Sequence, residues 1–133
     1  MIKMEKRNLF IGDVIFAVII LSGAGTYNYY QQESEKATVT LIIDYHSLKE
    51  NDTYENVRMT EGSTVLDLLE KKTDVITEDT EYGKMVVSIN GISQDASANL
   101  WWTYTINGEY AALGAEAQVL NDGDVIQWTL TEF

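Results

Sequence analysis

The chain has 133 residues, 45% of them hydrophobic, which gives room for one small domain with a modest core. Nine Lys or Arg against 21 Asp or Glu leave a net charge of −12, which disfavours nucleic acid and anionic membrane surfaces as partners. The absence of cysteine excludes disulfides, thiolate zinc sites, a catalytic thiol and an acylated lipoprotein cysteine, and the absence of proline suits strands joined by tight glycine turns.

Residues 1–30 have the pattern of a signal or anchor segment, with Lys3, Lys6 and Arg7 ahead of an apolar run over residues 9–24. As a helix that run spans about 24 Å at ~1.5 Å per residue, short of a bilayer core. Tyr27, Tyr29 and Tyr30 can supply the missing turn at the membrane interface. Asp13 would cost on the order of 3 kcal/mol at the centre of a span and less near its cytoplasmic end. Two outcomes stay open: retention as a signal anchor, or cleavage after Ala24, where Ser22 and Ala24 are small enough for a signal peptidase. Either outcome places the remainder outside the cytoplasm, as a single-pass membrane protein or a secreted one. Beyond Ala24 the chain carries six Lys or Arg and nineteen Asp or Glu, so the exported part is the acidic part.

A polar linker is expected over residues 31–36 and a domain over 37–133. Val39, Leu41, Ile43 and Tyr45 alternate with Thr38, Thr40 and Asp44 in the two-residue period of a half-buried strand. The polar stretch 46–52 predicts a turn, and a return strand follows with Val57 and Met59 inward. Val65, Leu66, Leu68 and Leu69 then form a helical stripe, opened by a Thr64 and Asp67 capping box. Residues 73–83 are acidic and predict an irregular loop. Met85, Val87 and Ile89 alternate in a third strand that ends at Asn90-Gly91. After a loop over 92–99 comes "WWTYTINGEY", in which Trp102, Tyr104 and Ile106 share one face and Trp101, Thr103 and Thr105 the other, with Asn107-Gly108 as the turn. Asp122, Gly123 and Asp124 form a last turn before a strand with Ile126, Trp128 and Leu130 on one side. This order predicts an α+β domain: a β-grasp-like single mixed sheet packed on one helix, preceded by an N-terminal transmembrane or signal helix.

Four segments in sequence, "GSTVLDLL", "VVSINGI", "WWTYTINGEYAALGA" and "LNDGDVIQW", resemble the transcobalamin-like C-terminal domain family. That family is the small β-grasp-like domain that closes over cobalamin in vitamin B12 carriers, and in bacteria it occurs in exported or surface-attached proteins. The resemblance covers about residues 39–128. It implies a domain that binds cobalamin or another corrinoid for surface capture, hands it to a membrane uptake transporter, and needs no resident cofactor.

A corrinoid is a broad apolar disc edged with amides, so its surface requires flat aromatic area and polar groups at the rim. Trp101, Trp102, Tyr104 and Tyr110 can supply the first, and Asn99, Asn107 and Gly108 the second. The competing reading makes Trp102, Tyr104 and Trp128 plain core, each ring burying roughly 150–250 Å². Strict alternation puts Trp101 on the face opposite Trp102, which makes it the better ligand candidate. Asn-Gly is also favoured for turn geometry alone. His46, the single histidine, stands in a predicted turn and reads as solvated rather than as a metal ligand. Asp74, Glu78, Asp79 and Glu81 lack the spacing of a calcium loop. No metal site and no catalytic set is expected, because no nucleophile motif, phosphate loop or metal-ligand spacing occurs. The chain ends Thr-Glu-Phe rather than Gly-Gly, so sulfur-carrier chemistry is not expected either. A different class competes with the ligand binder: a surface module that docks a protein or glycan and has no small-molecule ligand.

Overall fold

A computed structural model describes residues 36–133, and the expectations for the signal or anchor segment and for residues 31–35 of the linker lie outside the described residues. Two strands open the domain, β1 (Lys36–Asp44) and β2 (Asp52–Thr60), followed by helix α1 (Val65–Lys72). Next come β3 (Val75–Thr80), β4 (Gly83–Ile89) and β5 (Ile92–Ser93), then a 3₁₀ turn at Ala96–Ala98. β6 (Leu100–Ile106), β7 (Glu109–Tyr110) and β8 (Val125–Glu132) complete the domain. Among the described residues no helix is long and apolar enough to cross a membrane.

The expected single sheet is two sheets. Five strands lie in the order β2-β1-β8-β6-β7, with β1 and β8 parallel at the centre and the other pairs antiparallel. A separate sheet has the order β3-β4-β5. The domain is therefore β-rich with mixed pairing. β5 falls in the stretch 92–99 expected as a loop, and the sequence reading also missed β3. Its acidic composition suggested a loop, yet Val75 and Thr77 are half-buried while Ile76 and Glu78 are exposed, a strand with one face toward the protein.

Alternation in β1 is regular: Ala37, Val39, Leu41 and Ile43 are buried, and Tyr45 just beyond continues that face. Val57 and Met59 of β2, and Ile126, Trp128 and Leu130 of β8, join them as expected. The β1–β2 register shifts between Val39 and Leu41, where β2 accommodates an extra residue with Asn56 at φ 56°. A similar shift between Ile76 and Thr77 corrects the predicted phase of β4. Val86, Ser88 and Ile89 are buried, whereas Met85 is exposed and Val87 half-buried. Alternation cannot be carried across a bulge, because the extra residue exchanges the two faces.

Helix α1 buries Val65, Leu66, Leu68 and Leu69 on the sheet, and Thr64 and Asp67 close the capping box in both directions. Its other free N–H groups are satisfied from the far end of the chain. Val65 N–H donates to the Gln118 carbonyl at 2.9 Å, and Leu66 N–H to that of Ala115 at 3.0 Å. The segment between β7 and β8 is thereby held over the helix start, and it carries Ala115 and Glu116 to the mouth of a cleft.

Candidate functional site

Strand β6 places its aromatic residues on both faces. Trp102 is 7% exposed, donates its indole N–H to the Ile92 carbonyl at 3.0 Å, and meets Tyr45 edge-on with ring centroids 5.9 Å apart. Tyr104 lies across Trp128, centroids 5.0 Å apart, and its hydroxyl donates to the Leu113 carbonyl. Burial pushes the Tyr104 phenol pKa above its ordinary value. Trp101, on the other face, is half-buried.

On the Trp102 side an open cleft of about 370 Å³ runs between the tip of the β3–β4 hairpin and the five-stranded sheet. Trp102, Tyr104 and Trp128 line its sheet side, and Tyr82, Met85 and Ala115 its rim. Tyr82 is 90% exposed, so a large aromatic side chain stands in solvent at the mouth. Trp128 is buried, yet its indole N–H has no hydrogen-bond partner among the described residues. An unsatisfied buried donor costs about 1–3 kcal/mol.

Glu116 holds the hairpin tip over this cleft by accepting the Lys84 N–H at 3.0 Å. Gly83 makes that approach possible: its φ is +109°, and a Cβ there would come within 2.8 Å of the Glu116 carboxylate. Gly83→Ala is expected to cost about 1–3 kcal/mol, chiefly through the backbone conformation, since the carboxylate can move aside. Urea unfolding of the variant checks this, and an unchanged midpoint would show that the turn tolerates a side chain.

On the Trp101 side lies a second, more polar recess of about 310 Å³, lined by Glu78, Val87, Ser93, Gln94, Ala96 and Trp101. Asn99 braces it. This residue has φ 59°, accepts the Trp101 indole N–H at 3.0 Å through Oδ1, and donates through Nδ2 to the Phe133 carbonyl.

The structure thus divides the residues singled out in the sequence. Trp102 and Tyr104 come together in the first cleft; Trp101 lines the second, and Asn99 holds the Trp101 indole N–H without lining that recess. Asn107 and Gly108 form the turn with φ 53° and 88° and line neither recess. The Asn107 side chain is taken up by the fold, donating to Asp124 Oδ1 at 3.0 Å and accepting the Val125 N–H at 2.8 Å. Tyr110 pairs with Thr105 and is 70% exposed, at the far end of the Trp101 face. Sequence reasoning missed Tyr82, Met85, Gln94 and Ser93, and gave Trp128 a packing role only. An exposed tyrosine next to a turn glycine was the one available signal. His46 has φ 66° in the β1–β2 turn, with Nε2 3.9 Å from Glu132. Asp74, Glu78 and Asp79 belong to a strand or its start, Asp79 pairs with Lys84 at 3.0 Å, and no group of three or more potential metal ligands occurs among the described residues.

Fold and site together define a small β-rich domain with two open recesses flanking one aromatic strand. Residues 62–132 match the family described as a domain of unknown function, DUF4430, and the chain belongs to that family. Among solved structures, the chain resembles the crystal structure at 1.30 Å of a proposed metal-binding protein from Ruminococcus gnavus ATCC 29149. That likeness has a TM-score of 0.64 and 24% identity, covering 73% of this chain and 98% of that one. It also resembles haptocorrin in complex with Cbi, with a TM-score of 0.59 and 21% identity over 77% of this chain; the match spans only 26% of haptocorrin. These likenesses support a transcobalamin-like C-terminal fold. No curated protein matches the chain.

Proposed function

We propose that this chain is an extracytoplasmic ligand-binding domain that takes cobalamin or another corrinoid at the cell surface and passes it to a membrane uptake transporter. It does so without catalysis and is held to the membrane by its N-terminal segment or released from it. The observation that carries the reading is the aromatic cleft lined by Trp102, Tyr104 and Trp128, with Tyr82 exposed at its mouth. An apolar concavity lined by aromatic side chains is the usual form of a small-molecule site. A corrinoid disc is larger than this cleft, so an edge bearing an amide enters while the disc rests on Tyr82 and Met85. Likeness to a domain of haptocorrin, whose structure contains Cbi, supports the ligand class. The strand order, with a parallel β1–β8 pair at the centre and a helix on one face, supports the finer reading of the fold as β-grasp-like.

Titrating the full chain with cyanocobalamin and with cobinamide, read by tryptophan fluorescence and the corrin absorbance, tests the proposal. Saturable quenching is expected, weakened about tenfold by Tyr82→Ala, which leaves stability unchanged because that side chain is 90% exposed. The absence of any response up to about millimolar ligand would overturn the reading.

A further inference from the structure

The recess on the Trp101 side of β6 has a chemistry different from that of the aromatic cleft, and the corrinoid reading does not use it. Its one large apolar surface is the Trp101 ring, fixed in orientation because Asn99 Oδ1 takes the indole N–H and Asn99 Nδ2 is itself anchored on the Phe133 carbonyl. With the N–H occupied, Trp101 offers its ring face. Three polar side chains line the recess with it: Glu78 of β3, Ser93 of β5, and Gln94 just after β5. Gln94 Oε1 accepts the Trp102 backbone N–H at 3.3 Å, which turns the amide so that Nε2 remains a donor without a partner among the described residues. Neither the Glu78 carboxylate nor the Ser93 hydroxyl has a side-chain hydrogen bond or ion pair among the described residues. The recess therefore offers an acceptor-only group, a donor-only group and a hydroxyl that can be either, all beside a flat apolar surface.

We propose that this recess binds the ring of a neutral pyranose sugar. A pyranose has one face of C–H groups, which stacks on an indole, and an edge of hydroxyls that both donate and accept. Glu78 accepts from one hydroxyl, Gln94 Nε2 donates to a neighbouring one, and Ser93 serves either way. An ammonium ligand would also be drawn to an indole face beside a carboxylate, but it has no use for the Gln94 donor, which would point positive hydrogens at it. Acidic sugars are excluded by Glu78 and by the net charge of −12. At about 310 Å³ the recess is at the small end of ligand sites, the scale of one ring with its neighbours in solvent.

The test uses the full chain and follows the Trp101 indole N–H resonance during titration with methyl glucoside, methyl galactoside, N-acetylglucosamine, their short oligomers, methyl glucuronide and choline. At least one neutral pyranoside is expected to move that resonance saturably, with no movement from the glucuronide. Trp101→Ala should abolish the response read by calorimetry, and Glu78→Gln should weaken binding about tenfold. Tyr82→Ala, in the opposite cleft, should leave sugar binding unchanged, so failure here and failure of the corrinoid reading are separable. Tighter binding of oligomers than of single rings would assign the site to a glycan chain, and equal binding to a free sugar. Saturation by choline without sugars, or no saturable shift with any neutral sugar at about 100 mM, would overturn the proposal.

Discussion

Trp102→Ala is expected to destabilise the domain by about 3–5 kcal/mol, whereas Trp101→Ala, one residue away, costs about 1 kcal/mol or less. The difference comes from the strand. Trp102 is 7% exposed, packs edge-on against the fully buried Tyr45, and anchors the Ile92 carbonyl through its indole N–H. Its removal leaves a cavity continuous with the open cleft and strips the β5 carbonyl of its partner. Trp101 loses only half-buried area and one exposed hydrogen bond to Asn99. Urea unfolding followed by far-ultraviolet circular dichroism checks both. Equal costs for the two variants would contradict the assignment of one ring to the core and the other to a recess. The contrast also guards the ligand experiments: a change at Trp102 alters folding and binding together, whereas changes at Tyr82 or Glu78 do not.

The parts of this fold that were legible in the sequence are those where one residue type had one role. The β1 alternation, the Thr64 and Asp67 box, the stripe of α1 and the Asn107-Gly108 turn each follow from short-range pattern, and the structure keeps them all. The second sheet was not legible because its first strand is acidic on the solvent side and a bulge in β4 shifts the phase of the apolar residues. Trp128 shows a different limit. Its place in the core was readable from Ile126 and Leu130, but its place in the cleft depends on the β3–β4 tip and on Tyr104, which no local pattern brings near. Similarly, Gln94 and Ser93 gain meaning only when a three-residue 3₁₀ turn and the left-handed Asn99 fold the loop back against β6. Sequence located the aromatic strand; long-range packing decided which groups surround each of its faces.

The second large effect is expected at Tyr45, where the phenol joins three loops from inside the core. Its hydroxyl donates to Asp52 Oδ2 at 2.6 Å and accepts from Asn90 Nδ2 at 2.8 Å. Asn90 in turn receives the Asp74 N–H and donates its own N–H to the Asp74 carbonyl. The turn of the first hairpin, the helix-to-β3 connection and the β4–β5 turn thus share one hydroxyl. Tyr45→Phe removes that hydroxyl and leaves Asp52 and Asn90 without it, at an expected cost of about 1–3 kcal/mol near neutral pH. The same site makes stability fall at high pH. Burial, and then the hydrogen bond to Asp52, push the Tyr45 pKa up to about 12; donation from Asn90 opposes the shift, and the charges of Asp52 and Tyr54 add to it. A folded-state pKa above the unfolded value of about 10 means that the contribution is complete below about pH 10 and is lost as pH rises through about 12. Urea midpoints measured from neutral pH upward should therefore decline for the wild type in that window, beyond the general loss caused by lysine deprotonation. For Tyr45→Phe the extra decline should be missing, so the two curves converge at high pH. Parallel curves would show that the phenol titrates alike in the folded and unfolded chain, so that its proton adds nothing to stability. Convergence would place the Asp52–Tyr45–Asn90 chain among the interactions that hold the β4–β5 turn, and with it the lining of the Trp101 recess, against the sheet.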